Sequence, residues 1–209
     1  MFPEAVAGRA RAVLLTLGGA EPLAGFYLAG GTAVALHYGH RLSHDLDLFT
    51  PEPFSPEELA GELRRLGRFE LDRTAAGTIA GTLDGIRLAL FHFPYPLLDE
   101  PDRISGVRVA RPRDLGAMKL SAIAQRGARR DFIDLYWILD RSHPLDDLLA
   151  AYTRKFGASE RAIAHLVRSL AWFDDAEAEP MPRLLVAADW EGIKRRLAAE
   201  AERVGRLLF

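Results

Sequence analysis

Two aspartates one residue apart, Asp45 and Asp47 in "SHDLDLFT", are the side chains here best suited to chemistry. They alternate with Leu46 and Leu48, so they read as one face of a short strand whose other face is buried. Carboxylates on neighbouring same-face positions repel each other, and Asp is a poor strand former. A Mg²⁺ ion offsets both costs, because it takes hard oxygen ligands and needs only one or two carboxylates beside a substrate phosphate. The plainer alternative is an edge strand carrying ordinary surface acids.

Upstream, Gly30 and Gly31 stand between a predicted strand, "GFYLAG", and a predicted helix from Thr32 to Tyr38. Backbone N–H groups and the helix dipole at such a junction suit a phosphate, and Thr32 adds a hydroxyl. A tight turn capped by Thr32 explains the same residues without a ligand. Arg41 and Ser43, in the intervening "HRLSHD", are within reach of triphosphate oxygens on this reading, or belong to a polar loop.

A third group lies in "MKLSAIAQRGARRDFIDLYWILD". Asp131 and Asp134 are the polar positions of an otherwise apolar helical run, three residues apart and about sixty degrees apart around the axis. Acids on a buried helix need partners, either a structural ion network with Lys119, Arg129 or Arg130, or a functional site. Lys119 sits among small and apolar residues. It either snorkels to the surface or holds a nucleotide phosphate as a point charge. Arg126, Arg129 and Arg130 form a small basic patch, read as solvated arginines or as an RNA contact.

The elements that must hold these residues follow from periodicity and punctuation. A first helix is expected over residues 4–17, and a capped helix begins at Ser55 with Glu58 three on and Pro56 between. Strands are expected in "RFELDRT", "TIAGTL" and "IRLALFHF", the last after an Asp84-Gly85 hairpin dipeptide, with "GVRVA" a further short one. Beyond Arg113 every segment reads as helix, punctuated by Pro144, Pro180 and Pro182. The expectation is an α+β unit over residues 1–111 and a helical unit over residues 112–209, closely packed.

Composition narrows the function classes. The chain has 209 residues, 49% hydrophobic and 27% charged, which is a folded composition and not a disordered one. A formal net charge of -2 excludes a bulk basic field, so a polyanion must be met by a local patch. The absence of cysteine removes disulfides, thiolate zinc sites and cysteine nucleophiles. Arg9 and Arg11 precede only a short apolar run, so neither a signal peptide nor a membrane span is expected, and the cytoplasm is the expected location.

"GGTAVAL…HRLSHDLDLF" followed by "KLSAIAQRGARRDFIDLYWIL" resembles the AbiEii/AbiGii nucleotidyltransferase toxin family of abortive-infection and type IV toxin–antitoxin systems, within the DNA polymerase β-like nucleotidyltransferase superfamily. The likeness covers roughly residues 25–50 and 105–140. It implies a mixed sheet with flanking helices, followed by a helical domain that closes over a nucleotide. It further implies Gly30 and Gly31 at the triphosphate, Asp45 and Asp47 as Mg²⁺ ligands, and Lys119, Asp131 and Asp134 as the later catalytic motif. Thr32, Arg41 and Ser43 fall in the nucleotide-binding stretch. An NTP substrate, an RNA (tRNA among them) or protein acceptor, and a cognate antitoxin are implied with it. Superfamily enzymes usually carry a third carboxylate on a later strand, and "IRLALFHF" offers only Arg87 and His92. His92, Asp131 or Asp134 completes the set, or two acids suffice. A degenerate nucleotide-binding module of the same fold, and a minimal kinase, are the rival readings.

Overall fold

The computed structural model describes residues 1–208. In chain order the helices are α1 (Gly8–Gly18), α2 (Gly30–Tyr38), α3 (Pro56–Leu66), α4 (Pro112–Gln125), α5 (Arg129–Arg141), α6 (Leu145–Phe156), α7 (Glu160–Ser169), α8 (Asp174–Glu177) and α9 (Trp190–Leu208). The strands are β1 (Tyr27–Leu28), β2 (Leu46–Thr50), β3 (Phe69–Ala75), β4 (Thr78–Leu83), β5 (Ile86–His92), β6 (Asp102–Ile104) and β7 (Val107–Val109). They form one mixed sheet in the order β3-β4-β5-β2-β1-β7-β6. β2 runs parallel to β5, β1 parallel to β7, and the remaining pairs are antiparallel.

Local chemistry explains several boundaries. The Ser55 hydroxyl accepts the Glu58 N–H at 3.3 Å, which opens α3 as its capping sequence requires. Asp84 (φ 50°) and Gly85 (φ 77°) both adopt the left-handed conformation that a two-residue hairpin turn demands. Ser105 and Gly106 do the same between β6 and β7, so a hairpin forms where the sequence shows only the single strand "GVRVA".

Other elements depart from expectation. The first helix divides into a 3₁₀ turn at Pro3–Ala5 and α1, with Val6 extended and bridged to Ser43. The strand expected over "GFYLAG" is only Tyr27–Leu28, because α2 starts at Gly30 itself. β2 begins at Leu46, so Asp45 lies on the approach to the strand and Asp47 within it. Leu46, Leu48 and Thr50 are buried on one face of β2, leaving Asp47 and Phe49 on the other.

The last strand ends at Val109, and from Pro112 onward the elements are all helical. One continuous core joins both regions, from Leu28, Leu36 and Leu88 through Leu120 and Phe132 to Leu197. Among the described residues no helix is long and apolar enough to cross a membrane.

Candidate active site

α2 begins against the aspartate strand. Gly30 has φ +63°, and a Cβ on it would stand 2.8 Å from Asp47 Oδ2. Only glycine lets the helix start lie this close to the carboxylate. A Cβ on Gly31 would collide with the Arg41 guanidinium. Among the described residues, the N–H groups of Gly30, Gly31 and Thr32 have no hydrogen-bond partner, as expected of a first helical turn.

Thr32 and Ser43 are both buried, and their hydroxyls lie 2.7 Å apart. Thr32 also donates to the Asp45 carbonyl. These two side chains therefore brace the backbone that presents Asp45. The carboxylates of Asp45 and Asp47 themselves have no hydrogen-bond or ion-pair partner among the described residues. Burial raises Asp47 above the usual carboxylate range, an effect that the Lys119 charge partly offsets.

Arg41, Lys119, Asp131 and Asp134 form a buried cluster at the meeting of the loop after α2 with α4 and α5. Arg41, only 5% exposed, donates from Nε and Nη2 to the two Asp134 oxygens at 2.7 and 2.9 Å. His40 Nε2 adds a 2.8 Å bond to the same carboxylate. Lys119 Nζ lies 2.7 Å from both Asp131 Oδ1 and Asp134 Oδ2. Arg126 Nε reaches the other Asp131 oxygen at 3.0 Å. Burial alone would raise Asp134, but Arg41 and Lys119 hold it well below the usual range. Asp131 is likewise held low by Lys119 and Arg126 against its burial. Burial lowers His40 despite its bond to Asp134, which favours the neutral ring. Arg129 instead pairs with Glu177, and Arg130 is exposed.

Asp47, Gly30, Lys119, Arg126 and Asp131 line one end of a cleft of about 400 Å³. Its other end is apolar: Phe49, Phe91, Phe93 and Phe156, with Met118. Phe49 stacks with Phe91 at 5.0 Å and meets Phe93 edge-on at 5.5 Å, and Phe93 lies 6.1 Å from Phe156. The sequence reading missed this aromatic wall. Its signal was present in "LALFHF", whose alternation places Phe91 on the face that Asp47 and Phe49 share.

The strand register settles one alternative. Asp47 is opposite Ala89, so alanine occupies the position on β5 beside the face that carries Asp47 and Phe49. His92 is opposite Thr50, on the other face, and its ring bonds the Pro51 carbonyl at 3.2 Å. His92 does not complete a carboxylate set. Among the described residues there is no group of three or more His, Cys, Asp or Glu side chains placed to hold a metal ion.

A family model described as "Nucleotidyl transferase AbiEii toxin, Type IV TA system" matches residues 20–88 and 91–206. The chain belongs to this family. The match reaches across residues 142–206, where the sequence reading found no resemblance. A protein of Aquifex aeolicus (strain VF5), aq_aa25, is 40% identical over 160 residues, which are 74% of this chain and 76% of that one. JHP933 from Helicobacter pylori has a similar structure, with TM-score 0.54 at 18% identity over 97% of this chain and 94% of that chain. MenT4, a nucleotidyltransferase toxin of Mycobacterium tuberculosis H37Rv, gives TM-score 0.53 at 15% identity over 94% and 86%. This AbiEii chain thus has a nucleotidyltransferase fold and is a nucleotidyltransferase.

Proposed function

We propose that this AbiEii nucleotidyltransferase transfers a nucleoside monophosphate from an NTP, with Mg²⁺, to a hydroxyl of an RNA acceptor such as tRNA, and acts as a toxin held in check by a cognate antitoxin. The observation that carries the reading is the contrast between two acid pairs. Asp131 and Asp134 are neutralised by cations, whereas Asp45 and Asp47 have none beside the free N–H groups of α2. An unpaired acid pair next to a phosphate-binding helix start fits a divalent cation that takes its remaining ligands from triphosphate and water.

Asp45 and Asp47 would hold the ion, which would supply charge neutralisation at the phosphates when bound. The α2 N–H groups and Lys119 orient the triphosphate, and the phenylalanine wall receives the base by stacking. The acceptor oxygen bonds to the α-phosphorus as the bond to the pyrophosphate oxygen breaks. Asp131 has both oxygens engaged and a lowered pKa, so it is a weak proton acceptor. Its role is to fix Lys119, and the acceptor proton passes to water. Thr32 and Ser43 act as positioning residues behind Asp45, and Arg41 does so behind Asp134. Arg41, Lys119 and Arg126 outnumber Asp131 and Asp134, so the cluster leaves one net positive charge beneath the cleft.

NTPs labelled at the α-phosphate, incubated with total bacterial RNA, test the reading. Label should pass to RNA with the wild type and Mg²⁺. It should fall at least ~100-fold with Asp47→Asn or with EDTA, as removal of a group that stabilises the transition state predicts. Transfer of γ-label instead would establish a kinase. Nucleotide binding without transfer to RNA or protein would favour a degenerate module, the reading supported by Ala89 in place of a third acid.

A further inference from the structure

A second concavity, of about 310 Å³, opens beside the catalytic cleft, and Gln125 and Arg126 line both. Its other wall comes from α7 and the turn that follows, with His165, Arg168 and Trp172. Trp172 is 60% exposed and pairs with no other ring among the described residues. Trp137 and Trp190, by contrast, are buried against aromatic neighbours.

A single exposed tryptophan is common on protein surfaces. This one stands in a groove with cations that are free to act. Arg168 is exposed and has no ion pair among the described residues. Arg126, its side chain 61% exposed, gives only Nε to Asp131, which leaves its terminal nitrogens for another anion. The exposed His165 ring bonds the Ala124 carbonyl through Nε2 at 3.2 Å. Asp175 is the one acid of the lining.

We infer that this groove receives the acceptor as a single-stranded RNA end, with one base stacked on Trp172 and the adjoining phosphates against Arg168 and Arg126. The inference rests on the transfer reading above and assigns that reaction its second substrate site. An aromatic plane beside arginines matches a chain that repeats base and phosphate, and stacking requires an unpaired base. A protein acceptor has no such repeat. Arg126, with one edge toward Asp131 and the cleft and the other toward the groove, joins the site of the triphosphate to the path of the acceptor.

Anisotropy of a short fluorescent single-stranded oligoribonucleotide, measured with the full chain, tests the groove without relying on turnover. The wild type should bind, Trp172→Ala should bind roughly tenfold more weakly, and Trp172→Phe should keep most of the affinity. Arg168→Gln should weaken binding and lower the slope of log affinity against log salt by about one, while Arg65→Gln on distant α3 should change neither. Binding of a fluorescent NTP analogue with Mg²⁺ should be the same in Trp172→Ala as in the wild type, as should the melting temperature. Equal RNA affinity in wild type and Trp172→Ala, no RNA binding by the wild type, or loss of NTP binding in Trp172→Ala would each overturn the assignment. The two readings fail separately. Binding through Trp172 without nucleotide transfer removes the transfer reading and keeps the groove. Label that passes equally well with Trp172→Ala, to RNA or to protein, removes the groove and keeps the transfer.

Discussion

Asp134 receives two bonds from Arg41 and one from His40 and is ion-paired with Lys119, all inside the protein. Removing Arg41 strips two charge-assisted bonds from a fully buried carboxylate, which costs about 3–5 kcal/mol. Arg41→Leu should therefore lower stability by that order in urea unfolding. Arg41→Lys should recover only part, because an ammonium cannot span both carboxylate oxygens. The same cluster sets a pH dependence. Asp131 and Asp134 have folded pKa values below their unfolded ones, so their stabilisation is complete above about pH 4 and is lost as pH falls through the folded values. His40 is lowered from 6.5, so the unfolded chain binds the extra proton first and stability already declines as pH drops below that value. Melting temperature should fall in two stages, below about pH 6.5 and again below about pH 4, and His40→Gln should blunt the first. A melting temperature constant from neutrality to pH 3 would refute this account.

At the level of elements, the tightest junction is the start of α2 against β2. Gly30→Ala adds left-handed strain and drives a Cβ toward Asp47, whereas Gly85→Ala adds comparable strain in open space. Both should lose about 1 kcal/mol of stability, but only Gly30→Ala should also abolish nucleotide transfer. Equal activity in the two variants would mean that the Gly30–Asp47 approach is unimportant. This junction was legible in the sequence, because glycine permissiveness and alternation along a strand are local properties. The Ser55 cap and the Asp84-Gly85 hairpin were legible for the same reason. What escaped depends on distant partners. β1 has two residues and exists through its pairing with β2 and β7. Arg41 looks like a loop cation until α5, more than ninety positions away, supplies Asp134. The phenylalanine wall needs β2, β5, the segment after it and α6 to be assembled first.

On the scale of the whole molecule, the boundary expected near residue 111 divides strands from helices, but the interactions cross it repeatedly. His40 and Arg41 bond Asp134 on α5, and the extended chain at 183–186 pairs with residues 40–42 through Leu42 N to Arg183 O and Leu185 N to His40 O. Further along, the buried Lys155–Asp114 pair of the helical half (2.7 Å) bonds across the boundary, Lys155 to the Pro96 carbonyl at 2.8 Å and Asp114 to the N–H groups of Leu98 and Asp99. The Arg41–Asp134 pair buried across the boundary cannot be solvated by separating the halves without losing the core that both share. We therefore expect residues 1–111 and 112–209 to unfold together. Calorimetry should give one transition whose calorimetric and van't Hoff enthalpies agree, and a chain ending at residue 111 should not fold alone. Two resolved transitions, or a folded fragment, would show the halves to be independent domains. Asp45 and Asp47, at the start of β2, and Lys119 on α4 belong to opposite sides of that boundary. A single cooperative unit would hold the two sides of the proposed active site in register before any nucleotide arrives.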